Sequence, residues 1–107
     1  MSGTSDGWVT AAFVDELADG DAIAGQAGVI EVALYKLGDA IYATDMFCTH
    51  GQARLSDGFV EDGCIECPLH QGRFDIATGK ALSLPVTADI KTYPVRIVGD
   101  EVQIRLL

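Results

Sequence analysis

The sequence predicts an all-β fold, a small sandwich or barrel built from short antiparallel strands. Apolar and polar residues alternate in short runs, glycine-rich turn pairs separate these runs, and no segment of useful length repeats its apolar residues with a helical period. With 107 residues, 49% of them hydrophobic, the chain suffices for one small core. We therefore expect a single domain over residues 1–107.

The first predicted element is a short helical turn over residues 10–17. Thr10 is a suitable N-cap for it, and Gly20 with its acidic neighbours ends it. The turn is too brief to organise a fold, so the strands that follow must do so.

Three β-hairpins follow along the chain. Their strands are residues 29–37 with 40–44, residues 59–61 with 64–67, and residues 90–98 with 101–107. The turn pairs Gly38-Asp39, Asp62-Gly63 and Gly99-Asp100 join them. Pro94 has no N–H to donate, which predicts an edge position or a bulge in its strand.

The charge of the chain limits its partners. Sixteen acidic residues against seven basic ones give a net charge of −9, which opposes binding to nucleic acid and to anionic membrane surfaces. No apolar run approaches the roughly 20 residues of a membrane span, and the first residues lack a basic region followed by an apolar stretch. We expect no nucleic acid partner, no membrane partner and a cytoplasmic location.

Two short motifs pair cysteine with histidine. They are Cys48-Thr49-His50 and Cys67-Pro68-Leu69-His70, and they use both histidines of the chain. Spacing this close places each pair on a loop, and convergent thiolates and imidazoles predict a metal site with Cys48, His50, Cys67 and His70 as ligands. Tetrahedral zinc also accepts this donor set, although the spacing favours an iron–sulfur cluster.

The two motifs resemble the paired boxes of Rieske proteins, in which two cysteines bind one iron of a [2Fe–2S] cluster and two histidines bind the other. Most of the chain after about Gly7 is similar to the ferredoxins of naphthalene-type dioxygenase systems. The segments that carry this similarity are residues 41–45, 66–75, 78–82, 85–87 and 90–95.

The resemblance implies a Rieske fold with one [2Fe–2S] cluster. Antiparallel β-sheets would form a sandwich-like base from about residues 7–44 and 80–107, and about residues 45–79 would form a small cluster-binding subdomain. Pro85 would lie in a third loop near the cluster, although an ordinary turn proline before a strand is an equal alternative.

The same resemblance implies a low reduction potential. High-potential Rieske proteins carry a disulfide between the two boxes, and this chain has Ala53 and Leu69 at those places, while Cys64 lies on a predicted strand. They also carry a serine and a tyrosine that donate hydrogen bonds to sulfur, where this chain has Gly72 and Phe74. Fewer donors predict a potential near the bottom of the Rieske range, about −150 mV.

The sequence contains no Gly-x-Gly-x-x-Gly motif for a dinucleotide, and both histidines are committed to the cluster. The resemblance therefore implies an electron carrier, not an enzyme, between an NAD(P)H-dependent flavoprotein reductase and a terminal aromatic-ring-hydroxylating dioxygenase. A Rieske ferredoxin that serves a different oxygenase or reductase, a redox sensor and a zinc-binding structural module are the alternatives. Arg73, Lys80 and Lys91 are candidate partner contacts, and Trp8 is expected to pack near the terminus.

Overall fold

The computed structural model describes residues 6–49, 51–69 and 71–106. In these residues the regular secondary structure is almost entirely β-strand, with two 3₁₀ turns at Val14–Glu16 and Leu55–Asp57. The strands are β1 (Trp8–Phe13), β2 (Ala22–Ala27), β3 (Ile30–Leu37), β4 (Ala40–Asp45), β5 (Phe59–Glu61), β6 (Cys64–Glu66), β7 (Arg73–Asp75), β8 (Thr92–Tyr93), β9 (Val95–Val98) and β10 (Glu101–Arg105). The prediction of an all-β fold is confirmed.

The strands form three antiparallel sheets. The largest has the order β2-β3-β4-β8, the second has the order β1-β10-β9, and the third has the order β5-β6-β7. The first two predicted hairpins correspond to β3-β4 and β5-β6, and their strand pairing is confirmed. The third sheet lies entirely within residues 59–75, the stretch that also carries the second Cys-His motif.

Strand β3 supplies side chains to two hydrophobic clusters. Val32 and Leu34 belong to the cluster shared with β10, whereas Ala33 and Tyr35 belong to the cluster beneath the Cys-His motifs. Alternate residues of a strand point to opposite faces, so a strand buried on both faces contributes to both clusters. All four residues are fully buried.

A buried hydrogen bond stabilises the middle of the largest sheet. The Tyr35 hydroxyl lies 2.8 Å from Thr44 Oγ1, and the Thr44 hydroxyl also donates to the Asp45 carbonyl at 2.9 Å. Burial raises the pKa of Tyr35, so its hydroxyl stays protonated and can act as a donor. The polar atoms of both side chains are therefore satisfied inside the core.

The predicted helical turn over residues 10–17 is wrong for most of its length. Residues 8–13 form β1, which pairs with β10 across a bulge between Thr10 and Ala12. Only Val14–Glu16 forms a helical turn, and Glu16 Oε1 accepts a hydrogen bond from the Phe13 N–H at 2.8 Å. Pairing with a strand about 90 residues away decides the structure here, and local spacing carries no sign of it.

The third predicted hairpin is confirmed across Gly99-Asp100, where β9 pairs with β10, but the single strand predicted over residues 90–98 is divided at Pro94. Thr92–Tyr93 pairs with β4 in the largest sheet, and Val95–Val98 pairs with β10 in the second sheet. Proline cannot donate to a ladder, and here the chain passes from one sheet to another. The final strand ends at Arg105, and Leu107 lies outside the described residues.

Two strands had no sequence signal. β2 contains Gly25, and a β-carbon there would lie 2.7 Å from Leu34 Cδ1 and 3.1 Å from the Ala11 carbonyl oxygen. The two larger sheets approach each other closely at this glycine, so its small size serves packing although it lowers strand propensity. β7 has three residues, too few for a pattern.

Candidate metal centre

The predicted cysteine ligands lie on two loops of equal length, and an equivalent backbone hydrogen bond closes each loop. The first loop, residues 48–53, lies inside the bridge between Phe47 and Arg54, and the second loop, residues 67–72, lies inside the pair Glu66–Arg73 of β6 and β7. The N–H of Cys48 donates to the carbonyl of Ala53 at 2.9 Å. The N–H of Cys67 donates to the carbonyl of Gly72 at 2.8 Å. Each cysteine is therefore the first residue of a loop closed by the same hydrogen bond.

The interior of each loop is shaped by a further turn. The N–H of Gly51 donates to the Cys48 carbonyl at 3.2 Å, and the N–H of Gln71 donates to the Cys67 carbonyl at 3.0 Å. Gln71 has a positive φ of 62°, which is rare for a residue with a β-carbon. A left-handed residue turns the chain sharply, and it lies directly after the expected ligand His70.

Both cysteines are buried in the same hydrophobic cluster. Cys48 is 4% exposed and Cys67 is fully buried, and they share this cluster with Met46, Phe74 and Val86. His50 and His70 lie outside the described residues. Two buried thiol groups at equivalent positions of two loops, each with a histidine two or three residues later, fit a Rieske cluster and also fit zinc.

Comparison with known proteins decides between these groups. The Rieske [2Fe-2S] domain family matches residues 7–94. The chain belongs to this family.

The similarity extends over nearly the whole Rieske chain. The ferredoxin component of the naphthalene 1,2-dioxygenase/salicylate 5-hydroxylase systems of Ralstonia sp. is 54% identical over 99 residues, which are 92% of this chain and 95% of that protein. The structure of the Sphingomonas yanoikuyae B1 ferredoxin is 40% identical, with a TM-score of 0.86, covering 92% of this chain and 98% of the other.

A second similar structure contains a ferredoxin with its partner. It is a complex of reduced oxygenase and oxidised ferredoxin in carbazole 1,9a-dioxygenase. The matched chain is 32% identical, with a TM-score of 0.85 and coverage of 94% of each chain. This similarity holds for the fold as well as for the sequence.

The predicted Rieske fold and cofactor are thus confirmed. The cofactor is one Rieske [2Fe–2S] cluster, so the zinc alternative is set aside. The similar proteins are ferredoxin components, which transfer electrons and do not catalyse the oxygenation. The chain is an electron-transfer protein of this kind and not an enzyme.

The four residues behind the low-potential prediction have different surroundings. Ala53 and Phe74 are buried, and Leu69 is 69% exposed. A β-carbon on Gly72 would lie 2.8 Å from Val86 Cγ1 and 3.1 Å from Val86 Cγ2. A serine at position 72 therefore requires the Val86 side chain to shift.

The third cysteine, Cys64, is separate from the two loops. It lies half-buried on β6 opposite Asp75, and its Sγ is 3.7 Å from the Asp62 carbonyl oxygen. Desolvation, followed by the charge of Asp75, raises the pKa of the Cys64 thiol. The strand position agrees with the prediction, and a raised pKa disfavours the thiolate that a metal ligand needs.

An arginine follows each loop and forms ion pairs. Arg54 makes a bidentate pair with Glu31 of β3, with both N–O distances at 2.7 Å. This hydrogen bond holds the pKa of the Glu31 carboxyl below its ordinary value. Arg73 contacts Glu66 at 3.2 Å and Glu61 at 3.7 Å within the third sheet. Arg54 thus ties the first loop to the largest sheet.

The three basic residues predicted to contact partners differ in the contacts that they make within this chain. Arg73 has the ion pairs described above, and the Lys91 ammonium lies 5.0 Å from the centre of the Tyr93 ring. Lys80 is exposed. Trp8 packs under the Arg96 guanidinium, 4.3 Å from its ring centre, in agreement with the expected terminal packing.

Pro85 lies in a segment that contacts the loops. Its neighbour Val86 is buried and packs on Gly72 of the second loop, and the Leu84–Pro85 peptide is cis. Sequence reasoning singled out Pro85 but neither Val86 nor Glu31. A valine before a threonine and a glutamate on a strand have no local pattern that marks them.

In the part of the chain that the structure describes, no helix has the length and apolar character needed to cross a membrane.

Proposed function

We propose that this ferredoxin carries one electron from an NAD(P)H-dependent flavoprotein reductase to a terminal aromatic-ring-hydroxylating dioxygenase. The observation that carries this proposal is the pair of equivalent loops with buried Cys48 and Cys67, in a chain 54% identical to a dioxygenase ferredoxin component. The bound cluster supplies one-electron redox chemistry, and the protein binds, orients and shields it.

The ligands in this proposal are Cys48, His50, Cys67 and His70. The two buried thiolates bind one iron, and the two imidazoles bind the other. The loops that hold them belong to a cluster-binding subdomain of about residues 45–79, which rests on a base of about residues 7–44 and 80–107. The burial of both cysteines supports an arrangement in which the iron that they would bind lies nearer the core than the iron of the histidines.

Docking to both partners would use the loop surface. Leu69, which immediately precedes His70, is 69% exposed, and Leu84 is 79% exposed on the segment that packs against the second loop. Exposed leucines beside a redox centre suit a short-lived apolar contact, and the net charge of −9 adds salt-dependent attraction to basic partner surfaces. The complex of a similar ferredoxin with its oxygenase supports contact with the oxygenase.

A carrier that receives its electrons from NAD(P)H works where that nucleotide is oxidised, so we assign the cytoplasm as its location. The second candidate function is the same electron transfer with a different oxygenase or reductase. The ferredoxin in the carbazole 1,9a-dioxygenase complex is 32% identical to this chain and has the same fold. This supports the idea that one fold can serve different oxygenases.

The ligand assignment is tested with matched cysteine variants. We expect Cys48→Ser and Cys67→Ser to abolish the Rieske EPR signal and the bound iron. Cys64→Ser should keep both, because Cys64 lies on β6 outside the loops. A Cys48→Ser protein with the full signal would refute the assignment.

The carrier role is tested by reconstitution. Candidate reductases and oxygenases from the same source are combined with NADH, and product is measured with and without this protein. We expect turnover to depend on it and to fall in Leu69→Glu more than in Val98→Glu, an equally drastic change on β9. Turnover that does not depend on the protein would refute the role.

A further inference from the structure

The middle of the second loop faces solvent. Its first and last residues, Cys67 and Gly72, are buried. Leu69 and Gln71 are exposed, and in the sequence they lie on either side of the expected ligand His70. A loop with buried ends presents its exposed middle residues to a docking partner. Leu69 offers such a partner an apolar contact, and Gln71 offers it a carboxamide.

The backbone conformation of Gln71 does not suit a residue with a β-carbon. In the described part of the chain, seven glycines and two other residues, Asp62 and Gln71, have a positive φ. Asp62, with a φ of 54°, belongs to the Asp62-Gly63 turn, where aspartate is common. Glutamine has no such preference, so glycine would be the unstrained residue at the φ of 62° that Gln71 adopts.

The carboxamide of Gln71 makes no hydrogen bond to any residue that the structure describes, and the side chain is exposed. Only the backbone is engaged, because the Gln71 N–H donates to the Cys67 carbonyl at 3.0 Å. Glycine or alanine would make the same backbone hydrogen bond. In the first loop, the residue directly after the histidine is a glycine, Gly51. Strained backbone positions cluster at functional sites, so this side chain indicates a contact outside the chain.

We propose that Gln71 is a docking residue whose carboxamide hydrogen-bonds to the terminal oxygenase when this ferredoxin delivers its electron. A carboxamide has two N–H donors and an acceptor oxygen, so it pairs with a peptide group or with another carboxamide on the partner. A partner without the matching group leaves the amide unpaired. The proposal rests on the proposed function and adds to it a residue that selects among oxygenases.

The oxygenase is chosen over the reductase because a similar ferredoxin, 32% identical to this chain, forms a complex with its oxygenase. The apolar contact of Leu69 suits either partner, whereas a hydrogen bond requires a matching group. The Gln71 carboxamide should therefore contribute to binding of the oxygenase and not of the reductase. Because the carboxamide is uncharged, its contribution should persist at high salt.

The test separates the side chain of Gln71 from its backbone strain. Gln71→Ala removes the carboxamide and keeps a β-carbon at positive φ, whereas Gln71→Gly removes both. Asp62→Gly is the matched control, because Asp62 also has a positive φ and lies at the opposite end of β6 from the second loop. Each holo-protein is titrated into a reconstituted turnover assay, and the KM for the ferredoxin and the kcat are measured at low and at high salt.

We expect both Gln71 variants to raise the KM for the ferredoxin about fivefold at unchanged kcat, which is the effect of one lost hydrogen bond of ordinary strength. The increase should be equal in Gln71→Ala and Gln71→Gly and the same at both salt concentrations. Asp62→Gly should keep the wild-type KM at high salt, where the charge that it removes is screened. The Rieske EPR signal and the reduction potential should be the same in all of these proteins.

A wild-type KM in Gln71→Ala overturns the proposal, and a raised KM in Gln71→Gly alone assigns the effect to the backbone and overturns it as well. Electron transfer from the reductase is measured separately with cytochrome c as the final acceptor, and an equal increase in KM there overturns the choice of the oxygenase. A wild-type protein that supports no turnover refutes the proposed function and the docking role together. Wild-type turnover with an unchanged KM in both Gln71 variants refutes the docking role alone.

Discussion

Replacing Gly79 by alanine adds one carbon atom where the chain packs closely against the backbone of Ile90. Gly79 is buried, its φ is 78°, and a β-carbon there would lie 2.2 Å from the Ile90 carbonyl oxygen. Its backbone also makes two hydrogen bonds, to the Asp75 carbonyl at 2.7 Å and from the Ile90 N–H at 2.8 Å. The new methyl group therefore meets backbone, which cannot rotate away.

The expected loss of stability is the sum of two effects. A left-handed backbone conformation costs an alanine roughly 1–2 kcal/mol. Relief of the overlap separates the Gly79 and Ile90 backbones and weakens two hydrogen bonds worth about 1 kcal/mol each. Gly79→Ala should thus lower the free energy of unfolding by about 3–4 kcal/mol and the melting temperature by roughly 15–20 °C.

Gly99→Ala is the matched control. Gly99 has a similar φ of 63°, and nothing lies within 4 Å of the position of its missing β-carbon. The control should therefore show only the conformational cost, a decrease in melting temperature of roughly 5–10 °C. Thermal unfolding of both variants is measured by circular dichroism under one buffer and scan rate. Equal shifts in melting temperature would refute the argument that contact with Ile90 dominates.

Three further predictions concern buried side chains. Thr44→Val should lower the free energy of unfolding in urea by about 2 kcal/mol, because valine leaves the buried Tyr35 hydroxyl without its partner. Tyr35→Phe should lower it by only about 1 kcal/mol, because the Thr44 hydroxyl keeps its hydrogen bond to the Asp45 carbonyl. A larger loss in Tyr35→Phe than in Thr44→Val would contradict this prediction. Burial, with a hydrogen bond to Asp45, raises the pKa of Tyr93 to about 12, so its stabilising contribution should be complete below pH 10 and lost as the pH rises through 12. Tyr93→Phe should therefore remove the decrease in stability between pH 10 and pH 12. A variant with the same dependence of stability on pH as the wild type would contradict this prediction. Phe74→Tyr adds a hydroxyl in the buried hydrophobic cluster that contains both cysteines, and it should raise the reduction potential measured by voltammetry. Phe59→Tyr, the same change at an exposed residue, should leave the potential unchanged.

The elements that the sequence predicts correctly are those with local signals. Turn pairs such as Gly38-Asp39 and Asp62-Gly63 fix the β3-β4 and β5-β6 hairpins because two-residue turns need positive φ, and Gly38, Asp62 and Gly63 adopt it. The Cys-His motifs likewise have a spacing that few other sites use. Family, cofactor and fold class therefore follow from the chain alone.

The errors and omissions all involve distant partners. Residues 10–13 form a strand because β10 pairs with them, and Pro94 divides a strand because the chain changes sheets there. The Glu31–Arg54 ion pair and the Thr49–Ala88 hydrogen bond join residues 23 and 39 positions apart. Neither pair forms a local pattern in the sequence, so these contacts of the cysteine loops could be found only from the structure.

Strand β3 has a consequence for how the molecule comes apart. Its side chains contribute to both hydrophobic clusters, so we expect the unfolding of one cluster to expose the other. The amide hydrogens of Ala33 and Leu34 should then exchange with solvent only in global opening, at the same free energy whether the cysteine cluster or the opposite one is weakened. We therefore expect the two clusters to unfold as one cooperative unit, so that a mutation against β10 also speeds loss of the iron.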